Sequence, residues 1–209
     1  MMGLLIVIAV GYIAGAVPFS YMAGKAFAGI DLREHGSGNL GASNSFRYLG
    51  PWVAILVLVA DVAKGFAPAY FAPDLAAASE VPGHWLMLAA GFSAVIGHMF
   101  SLFVGFKGGK GVATTAGAFM ALAPLVLLWA FVVFAIVLGA TRIVSVASMS
   151  AAVALPVVVF VLDWFGFASY HWSLLALAAA ITAVVLTKHR SNIRRLVAGQ
   201  EPALQRQRK

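Results

Sequence analysis

Long apolar runs separated by short polar segments dominate this chain. The runs cover 3–24, 52–73, 85–104, 112–140, 143–162 and about 168–187. About 20 apolar residues of helix cross a hydrocarbon core roughly 30 Å thick, so every run but 112–140 has the length of one crossing. No run alternates apolar and polar positions as a barrel strand does. A chain in lipid must satisfy its backbone internally, so the expected fold is all-α, a polytopic helical membrane bundle. The run 112–140, with Pro124 near its middle, reads as one long kinked helix or as two short ones.

The positive residues choose between these readings. Lys25, Arg33 and Arg47 follow the first run, Lys107 and Lys110 the third, and Arg142 precedes 143–162. Lys188, Arg190, Arg194, Arg195, Arg206, Arg208 and Lys209 follow the last run. The segment 74–84 holds Asp74 and Glu80 and no Lys or Arg, and 163–171 holds Asp163 alone. Basic residues stay on the cytoplasmic side. All these segments keep their sides only if 112–140 goes out and comes back. The expectation is therefore seven transmembrane helices, with the N-terminus outside and the C-terminus cytoplasmic. Every Lys and Arg but Lys64 then lies inside. Lys64 has Asp61 three residues before it on the same helix face, and a mutual pair lowers the cost of charge in lipid.

Composition agrees. Of 209 residues 62% are hydrophobic and 10% charged, and mean hydropathy is +0.96. A soluble domain of this size has too little interior for so much apolar surface. The expected organisation is a single domain over 1–199 and a polar cytoplasmic tail over 200–209. A net charge of +7 would suggest nucleic acid in a soluble protein, but here it follows from the basic inner loops, and no nucleic acid is expected. Cysteine is absent, which excludes disulfides and thiolate metal sites. The apolar N-terminus, with no basic residue before Lys25, reads as a retained first span rather than a signal peptide.

Three inner segments carry chemistry. The first runs His35-Gly36-Ser37-Gly38-Asn39-Leu40-Gly41-Ala42-Ser43-Asn44, with Arg47 after it. Glycines allow close backbone approach, successive N–H groups form an anion nest, and an arginine fork suits phosphate. A turn capping a helix that begins near Ala42 needs one such polar residue, and here there are several. The second runs Gly97-His98-Met99-Phe100-Ser101, then Phe106-Lys107-Gly108-Gly109-Lys110-Gly111-Val112-Ala113-Thr114. Its glycines and lysines open an apolar helix, whose N–H groups and dipole favour an anion. The spacing is not that of a Walker A loop, so ATP chemistry is disfavoured. His98, near the inner end of its span with Ser101 three residues on, is a further candidate. The third is His189-Arg190-Ser191-Asn192-Ile193-Arg194-Arg195-Leu196, where His189 and Asn192 are one turn apart and the arginines suit anionic headgroups. Arg142 and Ser145 form a weaker fourth element. No carboxylate cluster suggests a metal, and no Ser-His-Asp set has its acid, so no metal or cofactor is expected. Cations, hydroxyls, amides and imidazoles remain, a set that binds oxyanions and works by positioning and electrostatics.

At these three segments the sequence resembles the bacterial acyl-phosphate-dependent glycerol-3-phosphate acyltransferases, integral membrane enzymes of phospholipid synthesis. Ser43 stands where Thr is expected, and the hydroxyl is kept. The resemblance covers essentially the whole chain. It implies acyl transfer from acyl phosphate to the 1-hydroxyl of glycerol 3-phosphate, giving lysophosphatidic acid and phosphate. It also implies seven spans in the bacterial inner membrane, with the active site toward the cytoplasm. The expected catalytic set is His189, Ser37, Lys107 and Asn192. Substrate binding is expected from Ser37, Gly38, Asn39, Asn44, Arg47, His98, Lys107, Ser145, His189 and Asn192, with Gly108, Gly109 and Lys110 on the acyl-phosphate headgroup. Acyl phosphate is already activated, so no covalent nucleophile is required. His98 and His189 are candidate bases, and a substrate phosphate oxygen is the other. The partners are the two substrates and membrane lipid. Rival classes are a transporter or exchanger of organic phosphates, for which the outer half offers few polar residues, and a basic lipid-binding scaffold, which needs no Gly-Ser-Asn segments.

Overall fold

A computed structural model describes residues 1–203, so the inner positions expected of Arg206, Arg208 and Lys209 lie outside the described residues. The described chain is helical and forms two compact units, divided between Leu122 and Ala123.

The first unit begins with α1 (Met2–Ala16) and α2 (Phe19–Ala28). The run 3–24 is thus not one straight helix. Pro18 lacks an N–H and pushes Val17 out of helical geometry, and Val17 has ψ 118°. Then come α3 (Ala42–Leu49), α4 (Pro51–Leu75), α5 (Gly83–Met99) and α6 (Val112–Leu122). Within 85–104 the α-helix stops at Met99, and Leu102–Val104 forms a 3-10 turn. Helix α3 starts at Ala42 as expected, but its N-cap is Gly41, so no side chain caps it.

Close helix contact in this unit is made by missing side chains. A Cβ on Gly11 or Gly15 of α1 would collide with the backbone of Ala90 or Ala94 of α5, and one on Gly97 with Tyr12. Helices α4 and α6 meet in the same way, Gly65 against Thr114 and Gly117 against Val62. Without a hydrophobic force between helices in lipid, such close packing is what holds them. Asp61 and Lys64 of α4 form the expected pair at 2.7 Å.

The second unit holds α7 (Pro124–Thr141), α8 (Val144–Trp164), α9 (Trp172–Lys188) and α10 (Arg190–Val197). The run 112–140 therefore divides at Ala123, with Pro124 opening the second helix, where its missing N–H costs nothing. Arg142 at φ 56° turns the chain out of α7. Thr182 of α9 donates to the Ala152 carbonyl of α8 at 2.6 Å.

Among the described residues five helical segments are long and apolar enough to cross a membrane: Met2–Ala28, Pro51–Leu75, Gly83–Val104, Pro124–Thr141 and Val144–Trp164. The pair α9 and α10, bent by 58°, makes a sixth if taken as one span, and α6 is a shorter apolar helix. Large apolar side chains such as Leu56, Phe131 and Ile136 are more than half exposed on these helices, a surface suited to lipid and not to water.

Candidate active site

The first glycine segment is a loop between α2 and α3, organised from inside by Asn44. That side chain is 1% exposed. It donates to the carbonyls of Leu32 at 3.0 Å and His35 at 3.1 Å, and its Oδ1 accepts the Ser37 N–H at 3.3 Å. Asn44 was expected on substrate; its amide protons and oxygen instead go to the loop. Gly36 and Gly38 have φ of 62° and 66°, a left-handed geometry that glycine adopts at no steric cost. Ser37 and Gly38 are exposed and Asn39 is half-buried. Ser37 Oγ accepts the Asn39 N–H at 3.4 Å.

Asp31 anchors the same loop. Its carboxylate takes the Arg33 side chain at 2.6 Å, and Arg33 also donates to the Val104 carbonyl and lies 5.1 Å from the centre of the Tyr21 ring. The Arg33 hydrogen bonds hold the Asp31 carboxyl down at about 2, against a smaller upward push from burial. Arg33 is thus neutralised. By contrast, among the described residues no side-chain hydrogen bond or ion pair engages Arg47 or Lys107. Lys107 is exposed and Arg47 half-buried. Lys107, Arg33, Tyr21, Phe103, Val104 and Gly105 line a cleft of about 360 Å³.

The second segment leaves α5 through the 3-10 turn and lies back across it. A Cβ on Gly108 would strike the His98 carbonyl, and one on Gly109 the His98 ring and the Leu40 carbonyl. These two glycines are needed for close approach rather than for unusual φ. The first and second segments therefore touch, at Leu40 and Gly109. The Gly109 N–H goes to the His98 carbonyl at 3.1 Å, so in this state that amide is not aimed at a ligand. Lys110 is half-buried. Gly111, at φ 81°, turns the chain into α6. Ser101, expected near His98, donates instead to the Ala16 carbonyl at 2.5 Å.

In the second unit His189 and Asn192 are both buried, at 2% and 4% exposure. His189 Nδ1 lies 2.8 Å from the Val185 carbonyl. A carbonyl only accepts, so Nδ1 carries a proton. Nε2 then accepts when the ring is neutral and donates only when it is charged. Asn192 Nδ2 donates to Glu201 at 2.5 Å, Ser145 Oγ donates to the same carboxylate at 2.7 Å, and Arg195 Nε at 2.7 Å. Burial pushes the Glu201 carboxyl up, and these three donors outweigh it and hold it below the usual glutamate range. Ser145 has a single proton and gives it to Glu201, so it donates to no phosphate while that bond stands. Sequence reasoning missed Glu201, which fell in the polar tail. The available signal was Gly199, whose φ of 67° closes α10 and returns the chain so that Gln200 N–H meets the Arg195 carbonyl at 2.7 Å.

Comparison with known proteins gives a consistent answer. A sequence model described as glycerol-3-phosphate acyltransferase matches residues 5–199. The chain is 39% identical to the glycerol-3-phosphate acyltransferase of Chlorobaculum parvum, over 98% of this chain and 97% of that one. With that of Trichlorobacter lovleyi it shares 43% identity over 93% and 94%. It is also similar to a crystal structure of PlsY (YgiH), an integral membrane glycerol 3-phosphate acyltransferase, in its glycerol 3-phosphate form. That match has TM-score 0.86 and 37% identity, covering 97% of this chain and 96% of the other. The lysophosphatidic acid form of PlsY matches with TM-score 0.83 and 36% identity, over 96% and 94% of the two chains.

Proposed function

We propose, from the premise that this chain belongs to the glycerol-3-phosphate acyltransferase family, that it transfers an acyl group from acyl phosphate to the 1-hydroxyl of glycerol 3-phosphate. Lysophosphatidic acid and inorganic phosphate leave. The observation that carries the site assignment is that the two glycine segments touch at Leu40 and Gly109, and that each is followed or opened by a cation, Arg47 or Lys107, with no side-chain partner among the described residues. Each substrate brings a phosphate, and cations on the two segments suit that chemistry, Lys107 lying in the cleft where Arg33 is already neutralised.

On this reading Ser37, Arg47 and Lys107 bind the phosphate of glycerol 3-phosphate, with Gly38 and Asn39 shaping the loop beside Ser37. Asn44 acts through that loop. His189 and Asn192 are also proposed for substrate phosphate, and Ser145 holds the Glu201 carboxylate that Asn192 meets. Lys110 and the Gly108–Gly109 backbone take the acyl-phosphate headgroup. The hydroxyl of glycerol 3-phosphate attacks the acyl carbon, the carbon–oxygen bond to phosphate breaks, and the hydroxyl proton goes to a phosphate oxygen. Because Nδ1 of His189 is committed to Val185, the ring helps a phosphate only as an imidazolium and serves as base only when neutral. The two roles therefore differ in pH dependence. We place the active site on the cytoplasmic side of the bacterial inner membrane, in a seven-span arrangement with the N-terminus outside, since this alone keeps the basic segments on one side.

Sealed proteoliposomes separate this function from exchange of organic phosphates. Labelled glycerol 3-phosphate inside them is converted to lysophosphatidate when acyl phosphate is added, and it does not leave against external unlabelled phosphate ester. Release of label without conversion contradicts the proposal.

A further inference from the structure

We infer that Asp61 and Lys64 are positioning residues for the loop Gly108–Lys110, acting through His98. The inference rests on the assignment of that loop to a substrate phosphate. Both charges lie one turn apart in the middle of α4, within a candidate membrane span, and they are 2% and 7% exposed. Charge there is costly even when paired, and apolar side chains of similar volume often hold a structure as well or better. Stability alone therefore gives no reason for the pair.

Its contacts give one. Lys64 Nζ reaches Asp61 at 2.7 Å and the Val17 carbonyl at 2.7 Å, at the break between α1 and α2. Asp61 Oδ1 lies 3.6 Å from His98 Nδ1. That is beyond hydrogen-bond distance, so the carboxylate acts on the ring by charge, favouring a proton on Nδ1 and the orientation that keeps this nitrogen toward it. The opposite nitrogen, Nε2, faces Gly109, and the His98 carbonyl takes the Gly109 N–H. Asp61, Lys64, His98, Leu40 and Gly109 line one narrow pocket with room for about 10 Å³, so pair, ring and loop meet at a single place. Ring and carbonyl together form the surface on which the loop rests. Lys64 fixes Asp61, Asp61 fixes His98, and His98 fixes the height and direction of the glycine backbone.

The experiment compares Asp61→Asn, the double variant Asp61→Leu/Lys64→Met, and Lys110→Ala. For each, thermal unfolding of the purified full-length chain and KM for both substrates are measured. Asp61→Asn leaves Lys64 without its carboxylate and lowers the unfolding midpoint. The double variant removes both charges and recovers the midpoint, yet its KM for acyl phosphate stays raised about tenfold or more, the effect of weakening a hydrogen bond to a charged phosphate. A double variant that recovers the midpoint and both KM values overturns the inference, because the pair is then structural only. If that variant does not fold, His98→Asn carries the test, because the Asp61–Lys64 pair remains. A raised KM for acyl phosphate in His98→Asn at an unchanged midpoint, matched by the rise in Asp61→Asn, supports the inference, and an unchanged KM in either variant overturns it. Lys110→Ala with an unaltered KM for acyl phosphate faults the loop assignment itself. A raised KM there, with no effect of the double variant, faults the inference alone.

Discussion

Replacing Glu201 tests whether its buried carboxylate organises the second unit. Its side chain is 5% exposed, and it accepts from Ser145, Asn192 and Arg195 at 2.5 to 2.7 Å. Glu201→Ala leaves three donors without an acceptor, one of them a guanidinium. Removing one partner of a fully buried ion pair costs about 3–5 kcal/mol; here the Arg195 side chain is 33% exposed and water screens it, so the cost is about 1–3 kcal/mol. Glu201→Gln keeps the shape but turns one acceptor into a donor facing a donor, at about 2 kcal/mol. For chains of about this length each kcal/mol moves the midpoint by about 2–4 °C, so the alanine variant should unfold about 2–12 °C lower. The pH dependence has a definite sign. The folded carboxyl is held below its usual range, so its contribution is fully present above the unfolded pKa and is lost as pH falls through the folded value. The gap between wild type and Glu201→Ala therefore narrows in acid. Midpoints for both variants within about 0.5 kcal/mol of wild type, the range of ordinary surface changes, would refute this reasoning.

Other outcomes follow from the same structure. Gly117→Leu drives a side chain into the Val62 carbonyl, and overpacking of this kind costs about 1–3 kcal/mol, read as a lower unfolding midpoint; an unchanged midpoint would show that α4 and α6 are not in that contact. Arg47→Lys keeps the charge and loses the fork, so catalytic efficiency toward glycerol 3-phosphate should fall roughly ten- to a hundred-fold, and an unchanged KM removes Arg47 from that phosphate. Reporter fusions at Ala78 and at the C-terminus should report opposite sides of the membrane; agreement between them rules out the seven-span orientation.

The apolar runs were legible because lipid imposes a length and a composition on every crossing. Ranges 52–73 and 143–162 differ from α4 and α8 by one or two residues at each end. Periodicity reads less well where a residue changes backbone geometry without changing hydropathy. Pro18 divides the first run, and the α-helix of 85–104 ends at Met99, after which the chain folds back and lays Gly108 on His98. The polar segments were visible as residue types, but their division of labour was not. Asn44 and Ser37 look alike in sequence, and only the path of the loop shows that Asn44 faces inward. Glu201 was hidden for a similar reason. Its role depends on the turn at Gly199, and a carboxylate in a polar tail has no distinguishing pattern of its own. The reverse held for Asp61 and Lys64, whose spacing alone predicted the pair, although nothing in that spacing pointed to His98.

The most direct measurement incubates the purified chain with acyl phosphate and glycerol 3-phosphate and counts both products. One lysophosphatidate should form for each phosphate released, with no product when acyl-CoA is the donor and the same rate in the presence of a chelator. Comparable turnover with acyl-CoA, or phosphate release without lysophosphatidate, would contradict the proposed reaction.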